Sequence, residues 1–245
     1  MGVLNRDERE VQGSPMVGSL RLYHYEPVVH TLGPGRRAGV WVQGCALACP
    51  GCLVPDSHDP LGGEGIDPTT LARQIAETPG LEGLTLSGGE PFAQPNAVWA
   101  LVTALKSRAP ALSVMIFTGL RRELLVREPR LRAILEHADI LVDGAYRQES
   151  RIGDPWRGSA NQRIHYLTNR YGPADHAAAP RGALEFQVRR NGAFFMAGIP
   201  EPGVWDALAG RLGIGLPTGR TEHSEDAANA GARGPGQRNS ERGNI

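Results

Sequence analysis

The chain has 245 residues, with 26 basic and 26 acidic side chains and a formal net charge of zero. That length suits one α/β domain with flexible ends and buries a sizeable core. The even charge balance creates no field that would draw nucleic acid or an anionic membrane non-specifically. The 3 cysteines are odd in number and local, which argues against a disulfide framework and for a reducing cytoplasm.

Residues 1–17 are charged and polar, lack the apolar centre of a signal peptide, and are expected to be flexible. No run of about 18 apolar residues occurs, so no membrane span is expected. Leu20 to Val29 reads as an edge strand, and Gly33-Pro34-Gly35 as a turn. Ala38 to Val42 is short, apolar and β-branched, a buried strand. Asp67 is placed to cap a helix, with Pro68 in its first turn and Leu71 and Ile75 on one face. Gly83 to Ser87 is a second short strand ending in Gly88-Gly89. Asn96 to Arg108 is the clearest helix, because Val98, Leu101, Val102 and Leu105 recur at i, i+3, i+4 and i+7. Ser113 to Phe117 is a third strand, ending in Thr118-Gly119. A helical region interrupted at Pro129 follows, and then a fourth strand, Asp139 to Val142, ending in Asp143-Gly144.

Strands alternating with helices imply an α/β fold with a mostly parallel sheet and its active groups at the carboxyl edge. The rhythm breaks late. Leu184 to Val188 and Ala193 to Ala197 flank Arg189-Arg190-Asn191-Gly192, a hairpin signal. Val204 to Leu212 reads as a last helix. Residues 18–214 are therefore expected to form the folded domain, and 215–245 a disordered, solvated tail in which arginines and acids balance.

The chemistry concentrates in Gly44-Cys45-Ala46-Leu47-Ala48-Cys49-Pro50-Gly51-Cys52. Three thiolates spaced C-x3-C-x2-C can converge on one metal centre, and soft sulfur donors suit zinc or an iron–sulfur cluster. Zinc in a closed site takes four protein ligands, and His58 is the nearby candidate for a fourth. A [4Fe–4S] cube held by three cysteines would leave one iron open to a small molecule. Forty residues on, Ser87-Gly88-Gly89-Glu90 follows an apolar strand. Glycines there let a ligand approach the backbone, although an ordinary strand-end turn has the same signature. Glu90 is placed either to accept a hydrogen bond from a ligand or to cap the next segment. Thr118 and Asp143 sit at strand ends, and Asn161 and Gln162 are loop amides that either line a cleft or satisfy local backbone.

Cys45-x3-Cys49-x2-Cys52 with the downstream Gly88-Gly89-Glu90 resembles the radical S-adenosylmethionine (SAM) superfamily. Trp41-Val42-Gln43-Gly44-Cys45, Cys49-Pro50-Gly51-Cys52, Asp143-Gly144 and Gly158-Ser159-Ala160-Asn161-Gln162-Arg163 resemble its small anaerobic ribonucleotide-reductase activase and glycyl-radical activating enzyme group. The resemblance implies a partial, open βα barrel. It implies that Cys45, Cys49 and Cys52 ligate a [4Fe–4S] cluster and that SAM binds the open iron. It places Gly51, Cys52, Ser87, Gly88, Gly89, Glu90, Thr118, Asp143, Asn161 and Gln162 beside SAM, and Gly198-Ile199-Pro200 on the adenosine side. The implied activity is that of an oxidoreductase: reductive cleavage of SAM to methionine and a 5′-deoxyadenosyl radical, which takes a hydrogen atom from a glycine of a large glycyl-radical protein. The implied electron donor is a flavodoxin or ferredoxin. Two alternatives stand beside it: the same chemistry on a small metabolite or peptide, and a zinc-stabilised binding module without catalysis.

Overall fold

Side chains alternate along a strand, so each strand here sorts its residues between the two faces of one sheet. The computed structural model describes residues 18–188, 190, 194–204, 207 and 210–211. The chain enters through β1 (Leu20–Val29), which pairs antiparallel with β2 (Arg37–Val42), Leu22 opposite Val42 and Tyr25 opposite Val40. After the cysteine loop, β3 (Glu64–Ile66) pairs antiparallel with the outer side of β1. Then come α1 (Pro68–Glu77), β4 (Gly83–Gly88), α2 (Pro95–Arg108), β5 (Ser113–Thr118), the short α3 (Arg122–Leu125) and α4 (Pro129–Leu135), and β6 (Ile140–Asp143). A long loop leads to β7 (Arg163–Tyr166), α5 (Pro173–Ala178) and the hairpin β8 (Leu184–Val188) with β9 (Phe194–Gly198).

Seven strands form one sheet in the order β3-β1-β2-β4-β5-β6-β7. The central block β2-β4-β5-β6 is parallel, and the flanking strands are antiparallel. The sheet does not close, since β3 and β7 are its ends. β1 is therefore not an edge strand, as its sequence implied; β3 lies outside it. β3 has three residues, too few to carry a period of two, and so gives no pattern to read.

Helix starts follow local chemistry. The Asp67 carboxylate accepts the Thr70 N–H at 2.7 Å and Pro68 opens α1, as the sequence indicated. Asp67→Ala is expected to lower the urea midpoint of unfolding, because the Thr70 N–H loses its cap, with the cleft unaffected.

One face of the sheet buries Ala38, Val40 and Val42 of β2, Leu84 and Leu86 of β4, and Val114 and Ile116 of β5 against α1 and α2. The residues between them point the other way. Trp41 joins Val29, Leu32 and Ala197 in a second cluster, and Met115, Ile140, Val142 and Trp156 form a third. The second cluster is completed by the hairpin: Phe195 stacks on His24 with ring centroids 3.7 Å apart and meets Trp41 edge-on at 4.7 Å.

Arg37 also lies on that second face and has no exposed surface. Its guanidinium donates to Thr85 Oγ1 at 2.7 Å, Ser113 Oγ at 2.8 Å, the Leu84 carbonyl at 2.7 Å and the Pro34 carbonyl at 3.1 Å. One side chain thus ties β2 to β4 and β5. Burial pulls its pKa down to about 10, which leaves it charged at neutral pH.

The hairpin strands pair as the sequence implied, Phe186 opposite Met196 and Leu184 opposite Gly198. Of its turn, residues 189 and 191–193 lie outside the described residues, as do 1–17 and the tail 215–245. In the stretch read as a last helix, Val204, Ala207, Gly210 and Arg211 are helical and the other positions lie outside the described residues. Among the described residues, no helix is long and apolar enough to cross a membrane.

Candidate metal and cofactor cleft

The cysteine loop leaves the carboxyl end of β2. Gly44 turns it with φ +94°, a conformation that favours glycine. The Gly44 N–H donates to the Ser57 carbonyl at 2.7 Å, and the Cys45 N–H to the His58 carbonyl at 3.0 Å, so the loop is closed at its base. Between these anchors the Cys52 N–H donates to the Cys49 carbonyl at 3.1 Å, and Ala48 is held at φ +42°. The thiols of Cys45, Cys49 and Cys52 are free, partly exposed, and line one cleft.

The glycine segment at the end of β4 is stitched to this loop. The Gly89 N–H donates to the Val42 carbonyl at 2.7 Å, and the Glu90 N–H to the Gly44 carbonyl at 2.9 Å. A methyl group on Gly88 would lie 2.6 Å from the Val42 nitrogen, and one on Gly89 would lie 2.5 Å from the Gly44 oxygen. Both glycines are therefore required by the packing of one strand end on the next. Together they line the cleft with Ser87.

Glu90 is buried, and its carboxylate is engaged by the protein itself. Oε1 accepts the Phe92 N–H at 3.0 Å and the Thr118 hydroxyl at 2.8 Å; Oε2 accepts the Gly119 N–H at 2.9 Å. It caps the turn Pro91–Ala93, which is the capping role the sequence offered, and it clamps the end of β4 to the end of β5. Burial pushes its pKa up, against the pull of these donors.

Burial also raises the Cys45 and Cys52 thiols. The neighbouring Glu90 and Cys49 add to the effect at Cys45, and the Cys49 and Cys45 thiols add to it at Cys52. Backbone donors oppose it, among them the Val54 N–H at 3.4 Å from Cys52 Sγ. Without metal these thiols therefore stay protonated at neutral pH, and metal binding would release protons.

Of the residues marked by sequence for SAM, Cys52, Ser87, Gly88, Gly89, Glu90, Thr118 and Gln162 line the cleft. Gly51 is exposed and packs toward Gln148, outside the cleft lining. Asn161 does not line it either; its amide donates to the Ala145 carbonyl at 2.7 Å, and its oxygen accepts from Ser150. Gln162 braces the loop from within, accepting the Gly158 N–H at 2.8 Å and donating to the Gly144 carbonyl at 3.1 Å.

Asp143 is buried behind the cleft as the centre of an ion cluster. It accepts the Arg122 N–H at 2.6 Å, pairs with the Arg163 guanidinium, and stands 3.1 Å from His165 Nε2. Arg163 also grips Glu123 with both terminal nitrogens, at 2.8 and 2.9 Å, holding that exposed carboxyl down at about 2. Burial alone would raise Asp143, but the donors from Arg163, Arg122 and His165 outweigh it and keep it below the ordinary range. A carboxyl lowered in the folded state stabilises above its unfolded pKa, and that contribution is lost as pH falls through the folded value. Asp143→Asn is expected to cost about 2 kcal/mol at pH 7, because the Arg122 N–H and the Arg163 guanidinium lose a charged acceptor. The gap from wild type should close below about pH 4 in urea titrations.

Cleft residues that sequence did not mark are Leu32, Trp41, Leu47, Phe117, Tyr146 and Met196. Their apolar character reads as core, and only tertiary packing exposes one side to the cleft. His58 lines the cleft too, yet among the described residues no three His, Cys, Asp or Glu side chains converge on one ion position. Three thiols of one loop facing one cleft could each take a different iron of a cluster.

The 4Fe-4S single cluster domain family matches residues 31–165. The anaerobic ribonucleoside-triphosphate reductase-activating protein of Vibrio cholerae serotype O1 is 35% identical over 156 residues, spanning 60% of this chain and 98% of the relative. The chain belongs to the anaerobic ribonucleoside-triphosphate reductase-activating protein family. Members from Salmonella typhi and Escherichia coli K12 are each 31% identical, over 157 and 158 residues, and align across 99% and 98% of their own length. The stretch matched by the 4Fe-4S single cluster domain contains the cysteine loop, the Gly88-Gly89-Glu90 turn and the Asp143 cluster. The hairpin at Leu184–Gly198 comes after it.

Proposed function

We propose that the chain is a radical SAM enzyme of the activating-protein family, with its open sheet forming the partial βα barrel of that superfamily. The observation that carries this is the stitching of the cysteine loop to the glycine turn: Gly44 and Glu90 bond directly, so both motifs face one cleft. Cys45, Cys49 and Cys52 would hold three irons of a [4Fe–4S] cluster. With SAM bound as well, the pair supplies one-electron cleavage to methionine and a hydrogen-abstracting 5′-deoxyadenosyl radical. Gly88 and Gly89 leave backbone within reach of the amino-acid end of SAM. Glu90 holds Thr118 and Gly119, so β4 and β5 present a fixed floor, and the apolar walls keep water from the reacting atoms. The cytoplasmic partner that fits the relatives is a large glycyl-radical protein, the anaerobic ribonucleotide reductase, with reducing equivalents from a flavodoxin or ferredoxin.

One observation favours a second substrate reading with the same chemistry. Nearly the whole Vibrio relative aligns with 60% of this chain, so the remaining sequence has no counterpart in it. Additional sequence of that length accords with a small metabolite or peptide as hydrogen donor. The test is 5′-deoxyadenosine formation from SAM by anaerobically reconstituted, dithionite-reduced protein, beside Cys49→Ala. Wild type is expected to form it and the variant to form none. Stoichiometric zinc with no cluster would sink the reading. Adding an anaerobic reductase and scoring its glycyl radical by electron paramagnetic resonance separates the two substrates.

A further inference from the structure

The return limb of the cysteine loop brings one more metal-binding side chain to the cleft. His58 lies six residues after Cys52 and lines the cleft with the three thiols. Its backbone is held on both sides. The His58 N–H donates to the Pro55 carbonyl at 3.0 Å, and its own carbonyl accepts the Cys45 N–H at 3.0 Å. Gln43, buried just before the loop, donates from Nε2 to the Asp56 carbonyl at 3.0 Å and to the Asp59 carbonyl at 2.7 Å. Those two carbonyls bracket Ser57-His58, and the buried Ser57 hydroxyl donates to the Val54 carbonyl at 2.6 Å. The segment is thus clamped to the strand that delivers the first cysteine. The His58 imidazole itself has no hydrogen-bond partner among the described residues.

The other polar side chains of the cleft are engaged or unsuited as ligands. Glu90 is satisfied by three protein donors, and Gln162 is bonded to loop backbone. A phenol such as that of Tyr146 must lose a proton to become a strong donor. Neutral imidazole coordinates iron as it stands, through a nitrogen lone pair. Three cysteines leave one iron of a [4Fe–4S] cluster without a protein donor, in a cleft that solvent reaches.

We infer that His58 closes that iron as a fourth protein ligand while SAM is absent, and gives way when SAM binds. This rests on the SAM reading above. The exchange is a ligand substitution: the iron–imidazole bond breaks, bonds to the amino-acid end of SAM form, and no electron moves. SAM therefore binds against a competitor built into the loop, and its measured affinity is reduced by the fraction of cluster whose iron is open.

The test is pulsed electron paramagnetic resonance on reconstituted, dithionite-reduced full-length protein that carries isotope-labelled histidine. Without SAM, the cluster is expected to show coupling to a labelled nitrogen. His58→Ala should lack this coupling although every other histidine stays labelled. Adding SAM, whose own nitrogens are unlabelled, should abolish it in wild type. In equilibrium dialysis, His58→Ala is expected to bind SAM about tenfold more tightly than wild type. A wild-type cluster without histidine coupling would overturn the inference, however the variant folds, and would leave the SAM reading intact. So would a coupling that survives His58→Ala or persists beside bound SAM, or a variant that binds SAM no more tightly than wild type. Stoichiometric zinc in place of the cluster, or a cluster that does not bind SAM, would overturn the SAM reading itself, and this inference with it.

Discussion

Gly89→Ala is expected to strip the protein of its cluster although it lies far along the chain from any cysteine. The added methyl would sit 2.5 Å from the Gly44 oxygen, 2.9 Å from the Gly44 carbonyl carbon and 3.0 Å from the Ser57 oxygen. All three are backbone atoms, so no side chain can swing away. Gly44 directly precedes Cys45, and its carbonyl also accepts the Glu90 N–H. The strain is therefore relieved only by moving the base of the cysteine loop. A shift of about 1 Å in a reacting group costs roughly a hundredfold in rate. Iron and sulfide per chain are expected to fall several-fold in Gly89→Ala, and 5′-deoxyadenosine formation by about a hundredfold. Gly172→Ala is the control, because nothing lies within 4 Å of a methyl group there. Full iron and normal rate in Gly89→Ala would mean that the two motifs are mechanically independent.

The second large effect is on stability. Arg37→Met keeps most of the side-chain volume but removes every donor from the site. The Leu84 carbonyl, Thr85 Oγ1 and Ser113 Oγ each lose a bond inside the sheet layer. Thr85 still donates to the Leu32 carbonyl at 2.7 Å, and Ser113 still interacts with Tyr171 and the Glu82 carbonyl, which limits the damage at those two oxygens. Removing the buried charge returns some of its desolvation cost. The net loss is expected to be about 3 kcal/mol, the cost of one or two unsatisfied buried acceptors. For a chain of this size that corresponds to a fall in Tm of roughly 10 °C. Arg37→Lys should fall between, since an ammonium cannot reproduce the planar fork. A Met variant as stable as wild type would show that the guanidinium is not what holds β2, β4 and β5 together.

Much of this architecture was legible because its signals are local. The Asp67-Pro68 cap, the periodicity of Val98, Leu101, Val102 and Leu105, and the apolar runs of β2, β4 and β5 each lie within a few residues. The cysteine spacing and the Gly88-Gly89 turn marked the cleft for the same reason. What was hidden depends on distance. β7 went unread, since Arg163 and His165 gain their meaning only when antiparallel pairing sets them beside Asp143. β3 and α5 are too short for a period to appear. Glu90 and Thr118 were each marked as ligand contacts, yet they bond to one another across two strand ends. Their spacing of 28 residues carries no pattern that would disclose this. The hairpin itself was readable, but its packing on Trp41 and His24 was not.

That packing sets an order of events during synthesis. Cys52 and Phe194 are separated by about 140 residues, which a ribosome adds in roughly 7 to 30 s. For that interval the nascent chain can already hold β2 and the cysteine loop, while the wall carried by β9 does not yet exist. The thiols thus pass through a stage in which their cleft is open on one flank before the last strand arrives to narrow it. The flank formed by β9 is therefore added to the cleft only after all three of its thiols have been made.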